Sequence, residues 1–209
     1  EIKISNEEIR EIDNPSILLQ RPWFENFGHW LVDSAVILSL CLKISLEENW
    51  TIIVGKQQSN SMRMIVMETI KKICPNVNFL EKPKDEVWKI SKLYYITPLH
   101  VPPLYKNPVS LSLLKATLEL GSTNSRSSYR KLFIRRGDGV SRSLSNENEV
   151  IEFLKKYDFE IIDLKNLSLM EQIKLYRSAY IVVSIKGAAL SNSMFMTVGS
   201  HVLSISPSD

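Results

Sequence analysis

The chain is poor in cysteine and has no long apolar run, and each shortage excludes a class of protein. Its two cysteines, Cys41 and Cys74, lie far apart and form no C-x-x-C pair. We therefore expect two reduced structural thiols, and neither a disulfide framework nor a metal site. The most apolar stretch, residues 31–42, contains Asp33 and is far shorter than the roughly 20 residues that span a bilayer.

Net charge is also low, because 26 Lys and Arg oppose 23 Asp and Glu and leave +3. This excess is too small to predict nucleic-acid binding. Six basic residues nevertheless lie close together in one segment where Asp138 is the only acid, namely Arg126, Arg130, Lys131, Arg135, Arg136 and Arg142. The segment is short and lacks an aromatic platform, so it favours a small anionic ligand, and we expect no nucleic-acid partner.

Strand signals alternate with helix signals along the first half of the chain, as in βαβ units around a parallel sheet. The predicted strands cover 16–20, 50–54, 77–80 and 92–96, and the predicted helices cover 29–46 and 61–74. Residues 100–108 contain three prolines, which exclude a regular element there. We therefore predict a domain boundary at this segment, with an N-terminal domain over 1–104 and a C-terminal domain over 105–209.

The second half alternates more regularly after a predicted helix at 109–120. Its predicted strands are 131–135, 159–163, 180–184 and 201–205, and its predicted helices are 146–156, 168–178 and 189–196. This series predicts a Rossmann-like parallel sheet with right-handed crossovers, so the fold class is α/β. No G-x-G-x-x-G follows a predicted strand, and a dinucleotide-dependent oxidoreductase therefore lacks support.

The first candidate site is the segment Ser184-Ile-Lys-Gly-Ala-Ala-Leu-Ser-Asn192, which leaves a predicted strand at the edge where ligands bind in parallel sheets. Gly187, Ala188 and Ala189 let a ligand approach the backbone, the following helix offers N–H groups, and Lys186 adds charge, so the segment predicts a diphosphate seat. A helix terminus contributes about 0.3–2 kcal/mol, whereas binding at roughly 10–100 μM needs about 5.5–7 kcal/mol. Further groups must therefore contribute to donor binding. The alternative to a diphosphate site is an ordinary tight turn whose small residues serve packing.

The second candidate site follows the strand at 131–135. Arg136 and Arg142 flank a glycine-containing loop, and arginine forks match the geometry of phosphate oxygens. Asn146 is a good N-cap for the next helix, and Glu147 and Glu149 suit its first turn. The alternative is a solvated basic loop before a well-capped helix.

The third candidate site is Arg21-Pro-Trp-Phe-Glu-Asn-Phe-Gly-His-Trp-Leu-Val-Asp33. His29 and Asp33 are four residues apart, so they share one helical face. A carboxylate beside an imidazole orients it and raises its basicity, as general-base catalysis requires. A structural histidine and an aspartate that caps a backbone group remain the alternative.

Taken in this order, the three segments resemble glycosyltransferase family 61, which includes bacterial capsular-polysaccharide enzymes and eukaryotic transferases of N-acetylglucosamine and xylose. The matching pieces are NFGHWLVD, KLFIRRGDGVSRSLSNENEV and FEIIDLKNLSLMEQIKLYRSAYIVVSIKGAALSNSMF. The resemblance covers most of residues 16–205. It implies a GT-B fold with two facing Rossmann-like halves, an acceptor-side N-terminal half and a C-terminal half that binds the nucleotide-sugar donor.

The resemblance also implies an inverting transfer to a glycan or glycoconjugate hydroxyl, without a cofactor or a required metal, in capsule or surface polysaccharide synthesis. By position, it assigns donor binding to Arg136, Arg142, Asn146, Glu147, Lys186, Gly187, Ala188 and Ala189. His29 and Asp33 match the family's N-terminal histidine and acidic position, so they are the implied catalytic residues.

Two departures accompany the resemblance. Lys186-Gly-Ala-Ala189 stands where the family usually has His-Gly-Ala-Gly, and lysine keeps a phosphate partner but does not relay protons as imidazole does. GT-B enzymes close with C-terminal helices, which we expect to be absent because the last predicted strand ends at Ile205. A non-catalytic member that binds a nucleotide, a glycan or a protein partner is therefore the alternative. We expect a cytoplasmic protein, with peripheral membrane association through segments outside this chain left open.

Overall fold

The structure is a computed structural model, and it describes residues 9–41, 50–97, 99, 106–119, 129–136 and 144–206. The chain divides into two compact units, Glu1–Leu118 and Glu119–Asp209. The division falls close to the end of an α-helix, Pro108–Glu119, whereas the sequence places the boundary before this helix.

The first unit contains two parallel sheets. Its strands are β1 Arg10–Ile12, β2 Ser16–Leu18, β3 Thr51–Gly55, β4 Asn78–Lys82, β5 Trp88–Ile90 and β6 Leu93–Tyr94. Four of them form a sheet in the order β4-β3-β2-β6, and β1 pairs with β5 in a second sheet. Every pairing is parallel, and all five residues of β3 are buried. The sequence did not predict β1 or β5.

The helices of this unit are α1 Phe27–His29, a π-helical segment Trp30–Ala35, α2 Val36–Cys41, α3 Asn60–Ile73 and α4 Pro108–Glu119. The helix predicted at 29–46 is thus an α–π–α sequence over 27–41, and its last residues lie outside the described part of the chain. In α3, the Ser59 hydroxyl caps the Met62 N–H at 3.2 Å, and the helix ends just before Pro75, which cannot donate a helical hydrogen bond.

The second unit is a four-stranded parallel sheet in the order β10-β9-β7-β8. Its strands are β7 Arg130–Arg135, β8 Phe159–Asp163, β9 Ala179–Ile185 and β10 His201–Ile205. The helices are α5 Glu147–Lys155, α6 Leu169–Arg177 and a 3₁₀ helix, Ala188–Phe195. The predicted α/β class with parallel sheets is confirmed, and the sheets are compatible with a Rossmann-like fold. The helix predicted at 189–196 is 3₁₀ rather than α.

Strand order fixes where each unit can bind a ligand. In the second unit the chain runs from β7 to β8 on one side and from β9 to β10 on the other. Connections that leave neighbouring strands in opposite directions open a crevice at their carboxyl ends, the usual ligand position in open parallel sheets. The residues that follow β7 and β9 therefore face this crevice. In the first unit, β3 and β6 flank β2 on opposite sides.

Candidate functional site

The first group of candidate residues lies in the first unit, where the chain enters α1 after β2. The Asn26 side chain caps this helix by accepting from the N–H of Gly28 at 2.9 Å and of His29 at 3.4 Å. His29 Nδ1 lies 2.7 Å from Asp33 Oδ2. The side chains of His29 and Asp33 are 34% and 15% exposed. The structure thus brings together the two residues that the sequence places on one helical face.

Directly after His29 the helix widens into a π segment, Trp30–Ala35, which contains Asp33. Two buried side chains hold it in place, because Trp30 Nε1 donates to Thr69 Oγ1 at 3.1 Å and Ser34 Oγ donates to the Leu19 carbonyl at 3.1 Å. Single π turns inside α-helices occur frequently at functional sites. Here the π segment is hydrogen-bonded on its inner face to α3 and to the end of β2. These bonds fix the position of the helix that carries His29 and Asp33.

Lys106 is a third member of this group, and the sequence did not predict it. Its Nζ lies 2.7 Å from Asp33 Oδ1, while His29 lies on Oδ2. The carboxylate therefore joins an ammonium to the imidazole through its two oxygens. Residues 33 and 106 are 73 positions apart, and no local pattern in the sequence connects them.

This arrangement determines which imidazole nitrogen can react. A neutral imidazole that donates Nδ1–H to the Asp33 carboxylate leaves Nε2 as an acceptor. His29 Nε2 makes no hydrogen bond to the residues that the structure describes. The pair is therefore built to accept a proton at Nε2 while Asp33 fixes the ring's orientation.

The second group of candidate residues lies in the second unit, at the crevice beyond β7 and β9. Arg136 Nη1 donates to the Lys186 carbonyl at 3.2 Å. A Cβ on Gly187 would stand 3.1 Å from Arg136 Nη1 and 3.3 Å from Cζ. Gly187 has extended backbone angles, φ 175° and ψ −175°, which any residue adopts. Its lack of a side chain matters because the guanidinium packs against its backbone.

The backbone around Lys186 is partly committed to the fold. The Lys186 N–H donates to the Ile205 carbonyl at 2.8 Å, and the Leu190 N–H donates to the Gly187 carbonyl at 3.1 Å. In a 3₁₀ helix, the N–H groups that precede the first internal bond have no helical acceptor. Ala188 and Ala189 carry these groups, and they are the backbone donors that the segment can offer an anion.

Two contacts anchor this 3₁₀ helix to α6. The Tyr176 hydroxyl donates to the Ala189 carbonyl at 2.9 Å, and Asn192 Nδ2 donates to Gln172 Oε1 at 2.9 Å. Burial raises the pKa of Tyr176 well above its ordinary value, so its hydroxyl remains a donor. The segment after β9 is therefore held firmly beside α6.

The remaining predicted donor residues are placed differently. Glu147 Oε2 accepts from Arg135 Nη2 at 3.1 Å, an ion pair that links α5 to the end of β7. Asn146 occupies the N-cap position of α5 but makes no side-chain capping bond, and its amide lies 3.5 Å from Glu149 Oε2. Arg142 lies outside the described residues.

Two further properties concern the described residues alone. They contain no group of three or more His, Cys, Asp or Glu that could hold a metal ion. Within the same ranges, no helix has both the length and the apolar character that a membrane crossing requires.

Comparison with known proteins decides the family. A family model described as glycosyltransferase 61 matches residues 27–203, a span that includes both groups of candidate residues. The chain belongs to glycosyltransferase family 61. The predicted family is thereby confirmed, and membership supports a glycosyltransferase activity in general terms. No curated protein matches the chain.

Proposed function

We propose that this family 61 member is an inverting, metal-independent glycosyltransferase of the GT-B type. It would move a sugar from a nucleotide-sugar donor to a hydroxyl of a glycan or glycoconjugate acceptor, in capsule or surface polysaccharide synthesis. Family membership supports the transferase activity. The observation that carries the finer proposal is the His29–Asp33 pair, whose 2.7 Å contact leaves Nε2 as the proton acceptor.

The acceptor side of the proposed reaction depends on this pair. The acceptor hydroxyl gives its proton to His29 Nε2 while its oxygen attacks the anomeric carbon from the face opposite the leaving group. The bond between the anomeric carbon and the phosphate oxygen breaks, and its electron pair leaves with the diphosphate. The new glycosidic bond then has inverted configuration. Asp33 stabilises the imidazolium that forms, through the hydrogen bond at Nδ1.

The donor side depends on the second group of residues. Arg136 and Lys186 supply positive charge beside the N–H groups of Ala188 and Ala189, which have no acceptor within the 3₁₀ helix, and this combination suits a leaving diphosphate. We include Arg142 in this group because it belongs to the same basic segment of the sequence. We propose that Glu147 affects the donor indirectly, through Arg135, because the Glu147 carboxylate is paired with the Arg135 guanidinium. Asn146 is proposed to contact the donor through its exposed amide.

A non-catalytic role is the second candidate, and one residue favours it. Lys186 stands at the position of the family's usual histidine and is exposed at the crevice edge. Such a protein would bind the nucleotide or a glycan without transferring sugar. The two candidates differ in one measurable property, which is donor turnover above background.

Calorimetric titration with a panel of nucleoside diphosphates, with and without Mg²⁺, tests the proposal. We expect one base to bind without metal. Arg136→Ala should weaken that binding about tenfold, the loss of one charge-assisted contact. Lys156→Ala is a matched control, because it removes an equal charge at the far end of α5. Binding without turnover on any donor–acceptor pair would favour the non-catalytic role, and dependence on Mg²⁺ would contradict the metal-independent mechanism.

A further inference from the structure

Trp23 has an unusual combination of exposure and backbone conformation. It is 67% exposed, and its φ of 57° lies in the left-handed region. L-residues with a large side chain rarely adopt this region, because Cβ approaches the following carbonyl oxygen. Such conformations persist where the surrounding structure enforces them, and they are concentrated at functional sites. The neighbours of Trp23 show how it is enforced here.

Two buried residues fix the turn on either side of Trp23. The Arg21 guanidinium lies 4.4 Å from the centre of the Tyr95 ring and donates to the Ile96 carbonyl, and Arg21 is 5% exposed. Phe24 is 7% exposed, and its ring occupies the space in which a side chain at Gly55 would stand. With its neighbours directed into the unit, the turn leaves the indole of Trp23 in solvent.

The exposed indole flanks the candidate base. The ring centres of Trp23 and His29 are 5.1 Å apart, with an angle of 39° between the planes. The imidazole is thereby supported by the indole at one side and by Asp33 at Nδ1. A group that reaches His29 Nε2 therefore lies within contact range of a broad, electron-rich aromatic face.

We propose that Trp23 is the platform for the acceptor sugar, and that it binds the CH-bearing face of a pyranose ring. The inference rests on the proposed function, since it places the reacting hydroxyl at His29. A pyranose has apolar CH groups on its faces and hydroxyls around its rim. Stacking one face on the indole removes apolar surface from water and leaves the rim free, so that one hydroxyl can point at Nε2. Trp23 thereby selects acceptors that present a sugar ring over those that present an acyclic hydroxyl.

The test compares Trp23→Ala and Trp23→Phe with the wild-type chain in transfer kinetics. We expect Trp23→Ala to raise the acceptor KM about tenfold, as loss of an aromatic anchor does, with the donor KM unchanged. Trp23→Phe should recover most of the loss. Tyr157→Ala is the matched control, since Tyr157 is 54% exposed and its ring lies 5.0 Å from the Phe153 ring, tilted by 50°, in the second unit. An unchanged acceptor KM, or equal rises in the donor and acceptor KM, would overturn the inference.

A second readout does not require turnover. Of the four tryptophans, Trp30 and Trp88 are buried, Trp50 is half-buried and Trp23 is exposed, so Trp23 is the most accessible to acrylamide. Millimolar methyl pyranosides should protect its fluorescence, and the same concentration of glycerol should not. If methyl pyranosides protect Trp23 but no transfer is detected, Trp23 binds the sugar and the proposed reaction is wrong. If transfer occurs without protection, and Trp23→Ala leaves the acceptor KM unchanged, the proposed reaction stands and the inference about Trp23 is wrong.

Discussion

Removal of the Lys106 charge should lower the rate of transfer. Lys106 and His29 each contact one oxygen of Asp33, both at 2.7 Å, so the ammonium helps to hold the carboxylate that orients the imidazole. In Lys106→Met the carboxylate loses the contact with the ammonium and can turn away from His29 Nδ1. His29 Nε2 would then be aimed less accurately at the acceptor hydroxyl. We therefore expect kcat to fall while donor affinity stays at the wild-type value.

The size of this loss follows from the contact and its exposure. A hydrogen bond to a charged group contributes about 1.5–3 kcal/mol, whereas an exposed ion pair contributes about 0.2–1 kcal/mol. The side chains of Lys106 and Asp33 are 32% and 15% exposed, so their contact lies between these two cases. We expect a loss of about 1 kcal/mol, which lowers kcat about fivefold.

The assay is initial-rate transfer with a fixed donor–acceptor pair, together with donor affinity by calorimetry. Lys106→Arg should keep most of the wild-type rate because it keeps the charge. Lys84→Met is the control, since Lys84 pairs with Glu25 at 3.2 Å in the same unit and should leave the rate unchanged. An unchanged kcat in Lys106→Met would refute the positioning role, and an equal fall in donor affinity would show a general loss of structure instead.

Two further predictions concern the donor group and the cysteines. Gly187→Ala places a Cβ 3.1 Å from Arg136 Nη1 and should displace the guanidinium. Diphosphate affinity should then fall about fivefold, which corresponds to the loss of one ordinary hydrogen bond. Unchanged affinity by calorimetry would contradict a role for this contact. Burial raises the thiol pKa of Cys41 to about 12 and that of Cys74 to about 11, so neither should form thiolate near pH 8 or react with a disulfide reagent until guanidinium unfolds the chain. Rapid modification of the native protein would show that one thiol is accessible.

The parallel sheets could be predicted because their signals are local. The run Thr51–Gly55 is apolar apart from its first residue and is buried throughout, as expected for a strand covered on both faces. The helix predicted at 168–178 corresponds to α6, and the structure shows that a capping box of Ser168 and Glu171 begins it. The spacing of His29 and Asp33 is likewise local, and it predicted their contact.

The parts that sequence did not predict depend on distant contacts or on weak local preferences. Lys106 contacts Asp33 across 73 residues, and Glu147 pairs with Arg135 only because α5 packs back onto β7. The strands β1 (REI) and β5 (WKI) have three residues each and contain charged residues, so neither shows the apolar run that predicted β2. The 3₁₀ geometry of Ala188–Phe195 accompanies its bonds to α6, which no local pattern specifies.

Transfer by His29→Ala on a defined nucleotide-sugar and acceptor pair tests the central claim most directly. The measurement is the rate of glycoside formation under saturating donor, together with donor affinity by calorimetry. Loss of the proposed general base should lower the rate by about 10²–10⁴-fold, while donor affinity stays at the wild-type value because we propose that the second unit binds the diphosphate. Full turnover by His29→Ala would contradict the account.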